Sequence, residues 1–545
     1  MCPLQGFSGS VRHAPEEEPV HRSPTPTRRQ IFGYGGAGAA ALMLGTGLWS
    51  SGAAHAAPAL TGDPFSLGVA SGDPMPDGVV LWTRLAPDPF AADGHGGMPD
   101  KPVRVHYEVA TDERFRKVVR RDSVVATPEL AHSVHPEVRG LAPDRVYYYR
   151  FRTGTAISPV GRTRTTPRAF AMPRDLKFAF ASCQAWQDGY FTAYDHMAEE
   201  DLDLVVHLGD YLYEYGVRTN KRGVTTDPKF HTETLDLARY RLQYGLYKSE
   251  APLQKAHARF PWIMTFDDHE VDNDWAGAVS QDAGADPEVF LKRRADAFQA
   301  LYEHAPLRHT QLPKGPDVRI HRRLGYGRLA DFTMLDTRQY RDDQLCGGKT
   351  SADCEDRFDQ GRTLLGAEQR DWVLKGFSRS PARWQVLGNQ TPMGQTDLDE
   401  GEATNVFMDP WDGYVAERNR LLAEARNRDV RNLVVITGDR HQNYAVDLKA
   451  DFTDPRSATL AAEFVGTSIA SGGDGADMTA EGQRFLAANP HMKFFNAQRG
   501  YVRVHVDRDR LTSDFRVLPY VTRPGAPVST RATAVVEDRV PGVQL

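Results

Sequence analysis

Six short apolar runs in this chain each stop at residues able to bind a metal ion or move a proton. "LKFAFASCQ" ends at Cys183, "LDLVVHLGDY" at Asp210, and "WIMTFDDHE" at Asp267, Asp268 and His269. "LADFTMLDTR" ends at Asp336, "WQVLGNQ" at Asn389, and "NLVVITGDRH" at Asp439 and His441. Tyr213 follows Asp210 by three residues in "GDYLYEYG", where a turn explains the glycine and the aspartate but not the phenol. One carboxylate at such a point is a helix cap or an Asx turn. Six runs ending this way assemble thiol, carboxylate, imidazole, amide and phenol groups, the inventory of a polynuclear metal site.

The elements that must position these groups are legible in the spacing. Between the runs lie amphipathic stretches at 234–247, 367–376 and 413–427. Buried strands alternating with helices predict an α/β domain over 175–525. Ligands in such folds sit just outside the carboxyl ends of the strands, which is where the polar residues fall. "YVRVHVDRDRLTSDFRVL" predicts a hairpin closing a sheet, and 526–545 reads as a poorly ordered tail. Residues 60–165 differ. "VRVHYEV" alternates Val103, Val105, Tyr107 and Val109, and a second strand alternates Tyr147, Tyr149 and Phe151. Leu141, Pro143 and Tyr147 resemble the tyrosine corner of immunoglobulin-like and fibronectin III sandwiches, so an all-β domain precedes the α/β one.

A length of 545 residues implies more than one domain. A net charge of −6 gives no sign of an extended basic surface for nucleic acid. Arg28 and Arg29 in "TRRQIF" precede "GGAGAAALMLGTGLW" and the small residues Ala54 and Ala56. Residues 1–56 therefore read as a twin-arginine export signal cut after Ala56; the stretch is too short and too rich in glycine and alanine to span a membrane. The expectation is a secreted monomer without a transmembrane anchor, partnered by the export machinery. Of the four cysteines, Cys2 leaves with the signal, and Cys346 and Cys354 flank "CGGKTSADC", which reads as a local disulfide. Cys183 is the odd one out, either a buried bystander or a ligand.

Taken in order, the motifs resemble those of a known family. "GDYLY" is similar to the GDxxY motif of purple acid phosphatases and the wider metallophosphoesterase superfamily. "DDHE" falls where that superfamily has GNH(D/E), "VLGN" at VxxH, "GDRH" at GHxH, and "SCQ" at the first DxG. With the all-β N-terminal domain and the twin-arginine signal, the chain most resembles the PhoD-like family, alkaline phosphatase D, over nearly all of its mature length. The resemblance implies a four-layer αββα catalytic domain and a secreted phosphoesterase that hydrolyses phosphate monoesters by a metal-bound hydroxide. A phosphodiesterase or phospholipase D of the same family is the alternative.

The resemblance also assigns roles. Asp210, Tyr213 and His441 fall on ferric ligands, with Cys183 replacing the DxG carboxylate and Asp210 bridging to a second ion. Asp268, Asn389 and Asp439 fall on ligands of that second ion. His269 falls on the histidine that contacts substrate and is the catalytic candidate. Oxygen donors at the second site suit calcium, with Mn2+ or Mg2+ also accommodated, and the anionic thiolate, phenolate and carboxylate of the first suit Fe3+. Arg338, with Arg341 and Arg440, is a candidate for the substrate phosphate. Glu214, Asp272, Asn273 and Asp336 are spare oxygen donors for a further calcium.

Overall fold

Each of the six runs folds into a strand, and its alternate residues face opposite ways. In Leu176–Ala181, Phe178 and Phe180 enter one apolar core while Ala179 and Ala181 enter another. Leu204–His207 divides Val206 from Val205, and Pro261–Met264 divides Ile263 from Trp262, in the same way. These are strands covered on both faces, which is why the runs show no polar alternation. The three are parallel neighbours in an 11-stranded sheet. Ala330–Met334, Trp384–Asn389, Leu433–Thr437 and Thr459–Val465 are parallel neighbours in a seven-stranded sheet.

The sheets face each other across a core that includes Phe178, Phe180, Val206, Phe332, Val386 and Ile436. Helices Thr192–Glu199, Leu237–Lys248, Ala251–Arg259 and Pro287–His304 pack on the outer face of the first sheet. Gly366–Arg379, Val415–Asn427 and Ala480–Ala488 pack on that of the second. The result is the expected αββα stack. Two of the helices begin on aspartate caps: Asp236 accepts the Arg239 N–H, and Asp286 accepts the Glu288 N–H ahead of Pro287.

The computed structural model describes residues 62–401 and 403–545, which form one compact unit. The twin-arginine segment 1–56 lies outside the described residues. Among the described residues no helix is long and apolar enough to cross a membrane. Cys346 and Cys354 are disulfide-bonded, as their spacing predicts.

The N-terminal region is all-β. Val103–Ala110 lies between Val118–Ala126 and Val146–Thr153, and packs on Gly78–Arg84 through Val79, Leu81, Val105 and Tyr149. The Tyr147 hydroxyl accepts the Ala142 N–H at 2.8 Å, the hydrogen bond a tyrosine corner makes. Strand pairing and hydrogen bonds cross the boundary expected near 165. Val69–Met75 pairs in parallel with Pro261–Met264, so the first β layer continues the catalytic sheet. The Trp82 indole donates to the Glu303 carbonyl at 3.0 Å, and buried Asp73 takes a two-pronged ion pair from Arg322.

The tail expected to be poorly ordered is folded. Ser529–Glu537 and Val540–Gln544 extend the 11-stranded sheet beyond Arg510–Leu518. Ala534 and Val536 alternate into the intersheet core, and Asp538 in the connecting turn accepts from Arg383, Arg431 and Asn432. Its small apolar residues, set between arginines and threonines, gave too weak an alternation to read. Ending the chain at residue 525 is expected to destabilise it by roughly 3 kcal/mol or more, the order of the apolar area uncovered. Thermal melting of the truncated protein checks this, and an unchanged midpoint would contradict it.

Candidate metal centre

The carboxyl ends of adjacent strands deliver the candidate residues to one place, and hydrogen bonds lock their turns together. The Cys183 N–H donates to the Gly209 carbonyl at 3.2 Å and the Gln184 N–H to the Asp210 carbonyl at 3.0 Å. Gly209 has φ +113°, and a Cβ there would lie 2.4 Å from the Asp267 nitrogen, so this turn requires glycine. The buried Glu270 carboxylate accepts N–H groups from Asp210 (3.0 Å), Tyr211 (2.6 Å) and Asp267 (2.8 Å), bracing two strand ends against each other. Cys183, Asp210, Asp439 and His441 have φ of +58°, +54°, +68° and +54°. Non-glycine residues in this region each cost of order 1–3 kcal/mol and persist where the surroundings impose them, above all at functional sites.

Two clusters of donor atoms result. Cys183, Asp210 and His441 offer atoms all within 4.8 Å of one another, and so do Asp210, Asp268 and His269. Asp210 belongs to both. The Tyr213 hydroxyl donates to Asp210 Oδ2 at 3.0 Å and lies 3.0 Å from His441 Nε2, which places it in the first cluster. Its ring stacks on that of His269 with centroids 4.0 Å apart. His269 Nδ1 is 2.8 Å from Glu214 Oε2, so Nε2 is the nitrogen left for the second cluster.

The electrostatics of the clusters call for a cation. Burial raises the Cys183 thiol well above its ordinary range, and Asp210 adds to it. Burial, then Asp210 and Cys183, do the same to the Tyr213 phenol. Burial raises the Asp210 carboxyl well above the carboxylate range; His269 opposes this, while Asp268 and Asp267 reinforce it. Burial and then Asp267 raise Asp439, and burial forces the His441 imidazole down to about 3. Asp210 Oδ1 is buried without a partner, and Asp268 Oδ1 accepts no hydrogen bond and has only the Arg338 guanidinium at 3.5 Å. Orphaned carboxylate oxygens in a dry site are costly and are what a bound cation satisfies. The residues present therefore fit metal ions: thiol, phenol, carboxylate and imidazole on one side, carboxylates on the other.

Comparison with known proteins identifies the family. The model of the PhoD-like phosphatase family matches residues 178–515, and that of the PhoD-like phosphatase N-terminal domain matches 51–167. The chain belongs to the PhoD-like phosphatase family. It is 47% identical over 523 residues to alkaline phosphatase D of Bacillus subtilis, covering 95% of this chain and 88% of that one. A solved structure of PhoD superimposes with a TM-score of 0.86 at 48% identity, covering 90% of this chain and 93% of that one. Purple acid phosphatase PPD1 from yellow lupin shares the fold, with a TM-score of 0.53 at 12% identity over 86% and 73% of the two chains. Family membership makes the chain a phosphoesterase.

Within this PhoD-like phosphatase the expected residues do not all fall alike. Cys183, Asp210, Tyr213, Asp268, His269 and His441 converge. Asn389 ends its strand as expected, but its Oδ1 accepts the Trp411 indole N–H at 3.1 Å, and its amide nitrogen donates to the Thr391 carbonyl and Thr437 Oγ1. Arg338 is not available to substrate. It is fully buried, donating to Asp267 at 2.6 Å and Asp409 at 2.8 Å, with Asp268 at 3.5 Å. A guanidinium among three carboxylates is their counterion, and Arg341 is likewise paired with Asp409. The spare oxygen donors are also engaged: Asp272 with Ser280, Gln281 and Arg293, Asp336 with Gln339 and the Arg338 N–H.

Sequence reasoning gave Glu214 another role, that of a calcium donor, and missed Glu270. Glu214 orients His269 and also accepts the Asn273 N–H at 2.9 Å. Glu270 braces the turns. Both sit inside the quoted motifs, and their acidic side chains beside ligands were the available signal.

Proposed function

We propose that the chain hydrolyses phosphate monoesters with the help of two kinds of cation, Fe3+ and Ca2+, and that it acts outside the cell. The observation that supports this most is the pair of donor clusters sharing Asp210. Cys183, Asp210, Tyr213 and His441 would hold Fe3+. Asp210 and Asp268, with Asp439 and Asn389 at neighbouring strand ends, would hold Ca2+, Asn389 through the Oδ1 lone pair that Trp411 leaves free. Cations there would supply Lewis acidity toward the phosphoryl oxygens and toward water. The remaining work falls to the chain's own groups. Glu214 fixes the His269 tautomer, so Nε2 can hold or give a proton to the oxygen that leaves phosphorus. Burial lowers its affinity for that proton, but in the metal-free chain the Glu214 carboxylate at Nδ1, with Asp268, outweighs burial and raises the imidazole above its ordinary pKa. Glu270 keeps the turns of Asp210 and Asp267 in register, so the donors need no rearrangement as charge develops. The Cys346–Cys354 disulfide supports an oxidising compartment.

The test combines metal content with substrate choice. Native protein should contain iron and calcium and show a visible charge-transfer band that Cys183→Ser and Tyr213→Phe remove. It should turn over nitrophenyl phosphate faster than the bis-nitrophenyl ester or phosphatidylcholine. A reversed order would make it a diesterase, and a colourless, fully active enzyme would refute the iron.

A further inference from the structure

The donors of the first cluster come from opposite sheets, Cys183 beyond Leu176–Ala181 and His441 beyond Leu433–Thr437. Something must set their spacing, and one side chain spans it. Arg499 opens the strand Arg499–Val506, which pairs with the Cys183 strand through Val502 and Phe180. It is 8% exposed. Its Nε donates to the Gly473 carbonyl at 2.8 Å, and its Nη1 donates to the His441 carbonyl. The segment around Gly473 is the one that grips Cys183. The Ala470 and Ser471 N–H groups donate to the Cys183 carbonyl at 3.4 and 3.3 Å, and Ser471 Oγ accepts the Ala185 N–H at 2.8 Å. At Gly472, which has φ +89°, a Cβ would lie 2.7 Å from Arg499 Nη2, so the loop closes tightly on the guanidinium. One planar fork thus ties the loop holding Cys183 to the turn holding His441, both of which stand at strained positive φ. Its charge also lies near the Cys183 sulfur and the Tyr213 phenol.

We propose that Arg499 is a positioning residue that sets the spacing of Cys183 and His441, and with it the affinity and electronic character of the metal site they share with Asp210. The inference rests on the metal reading above. Groups that orient ligands from outside the coordination sphere typically change metal affinity by 10–100-fold when removed.

Titrating chelator-stripped protein with Co2+ tests it, because a thiolate ligand gives cobalt a near-ultraviolet absorption band. The unmodified chain should show that band and Cys183→Ser should not. Arg499→Met should bind Co2+ about 10–100-fold more weakly with a shifted band. Arg499→Lys, a point charge able to reach one carbonyl at a time, should fall between the two and decides the matter if the methionine variant fails to fold. A purely structural role would lower the melting temperature of the stripped protein and leave cobalt affinity and band unchanged in both variants. That result would overturn the proposal while leaving the metal reading intact. Absence of a Cys183-dependent band in the unmodified chain would remove both.

Discussion

Asp210→Asn should reduce phosphomonoester turnover about a thousandfold, matching the several kcal/mol of charge stabilisation that metal ions supply to such reactions. The substitution is close to isosteric, and the amide oxygen can still accept the Tyr213 hydroxyl. What it removes is the negative charge common to both donor clusters. Metal content should therefore fall at both positions together, whereas loss of Cys183 or Asp268 removes a donor from one cluster. The stripped variant should nevertheless melt no lower than the stripped parent. Burial, with Asp268, Asp267 and Glu270 nearby, pushes the Asp210 carboxyl toward its uncharged form when no cation is present, against the pull of His269. Elemental analysis, kcat/KM and melting in chelator give the three readings. Turnover within tenfold of the parent, or a large fall in the melting temperature of the stripped form, would count against Asp210 as the shared ligand.

Acid should unfold the protein through buried imidazoles. His207 lies between Trp262 and Tyr211, its Nε2 buried without a partner, and His135 stacks on Tyr302. Burial forces each down to about 3. An unfolded chain protonates histidine near 6.5, so between about 6.5 and 3 the unfolded state holds a proton that the folded state does not. Stability must then fall as pH falls through that window and level off beneath it. Each group contributes on the order of 4–5 kcal/mol at the low end, against a typical total of 5–15 kcal/mol. His207→Gln removes one contribution. Denaturant unfolding should show the variant losing about 3 kcal/mol less than the parent between pH 7 and pH 4. Parallel pH profiles would show that His207 is protonated without cost.

The strands and most of the residues that cluster at their ends could be read from the chain because both follow from local pattern. A buried parallel strand writes itself as a continuous apolar run, and its exit writes itself as glycine, aspartate or asparagine. Tyr213 stood out because no turn needs a phenol there. Partnership was the hidden part. Whether an arginine meets substrate or carboxylates depends on Asp267, Asp268 and Asp409, which reach Arg338 from separate segments. Glu214 looked like a free oxygen donor until folding brought His269 to it. The last two strands were missed because they rest on alanine and valine alternation that is apolar enough only beside the neighbouring Arg510–Leu518.

The strands bearing Cys183, Asp210 and Asp268 are hemmed by pairings distant in sequence. Pro261 pairs with Ser71, about 190 positions earlier, and Phe180 waits for Val502. A ribosome adding 5–20 residues each second takes roughly 10–40 s to cover the first gap and longer to cover the second. The Asp210 strand lacks a neighbour until Pro261–Met264 is made, and the Cys183 strand until Val502 is, and closing such long loops is intrinsically slow. No nascent fragment can therefore form the complete centre. On the metal reading proposed above, loading is a late event in the life of each molecule, and a chain released early is expected to aggregate rather than be partly active.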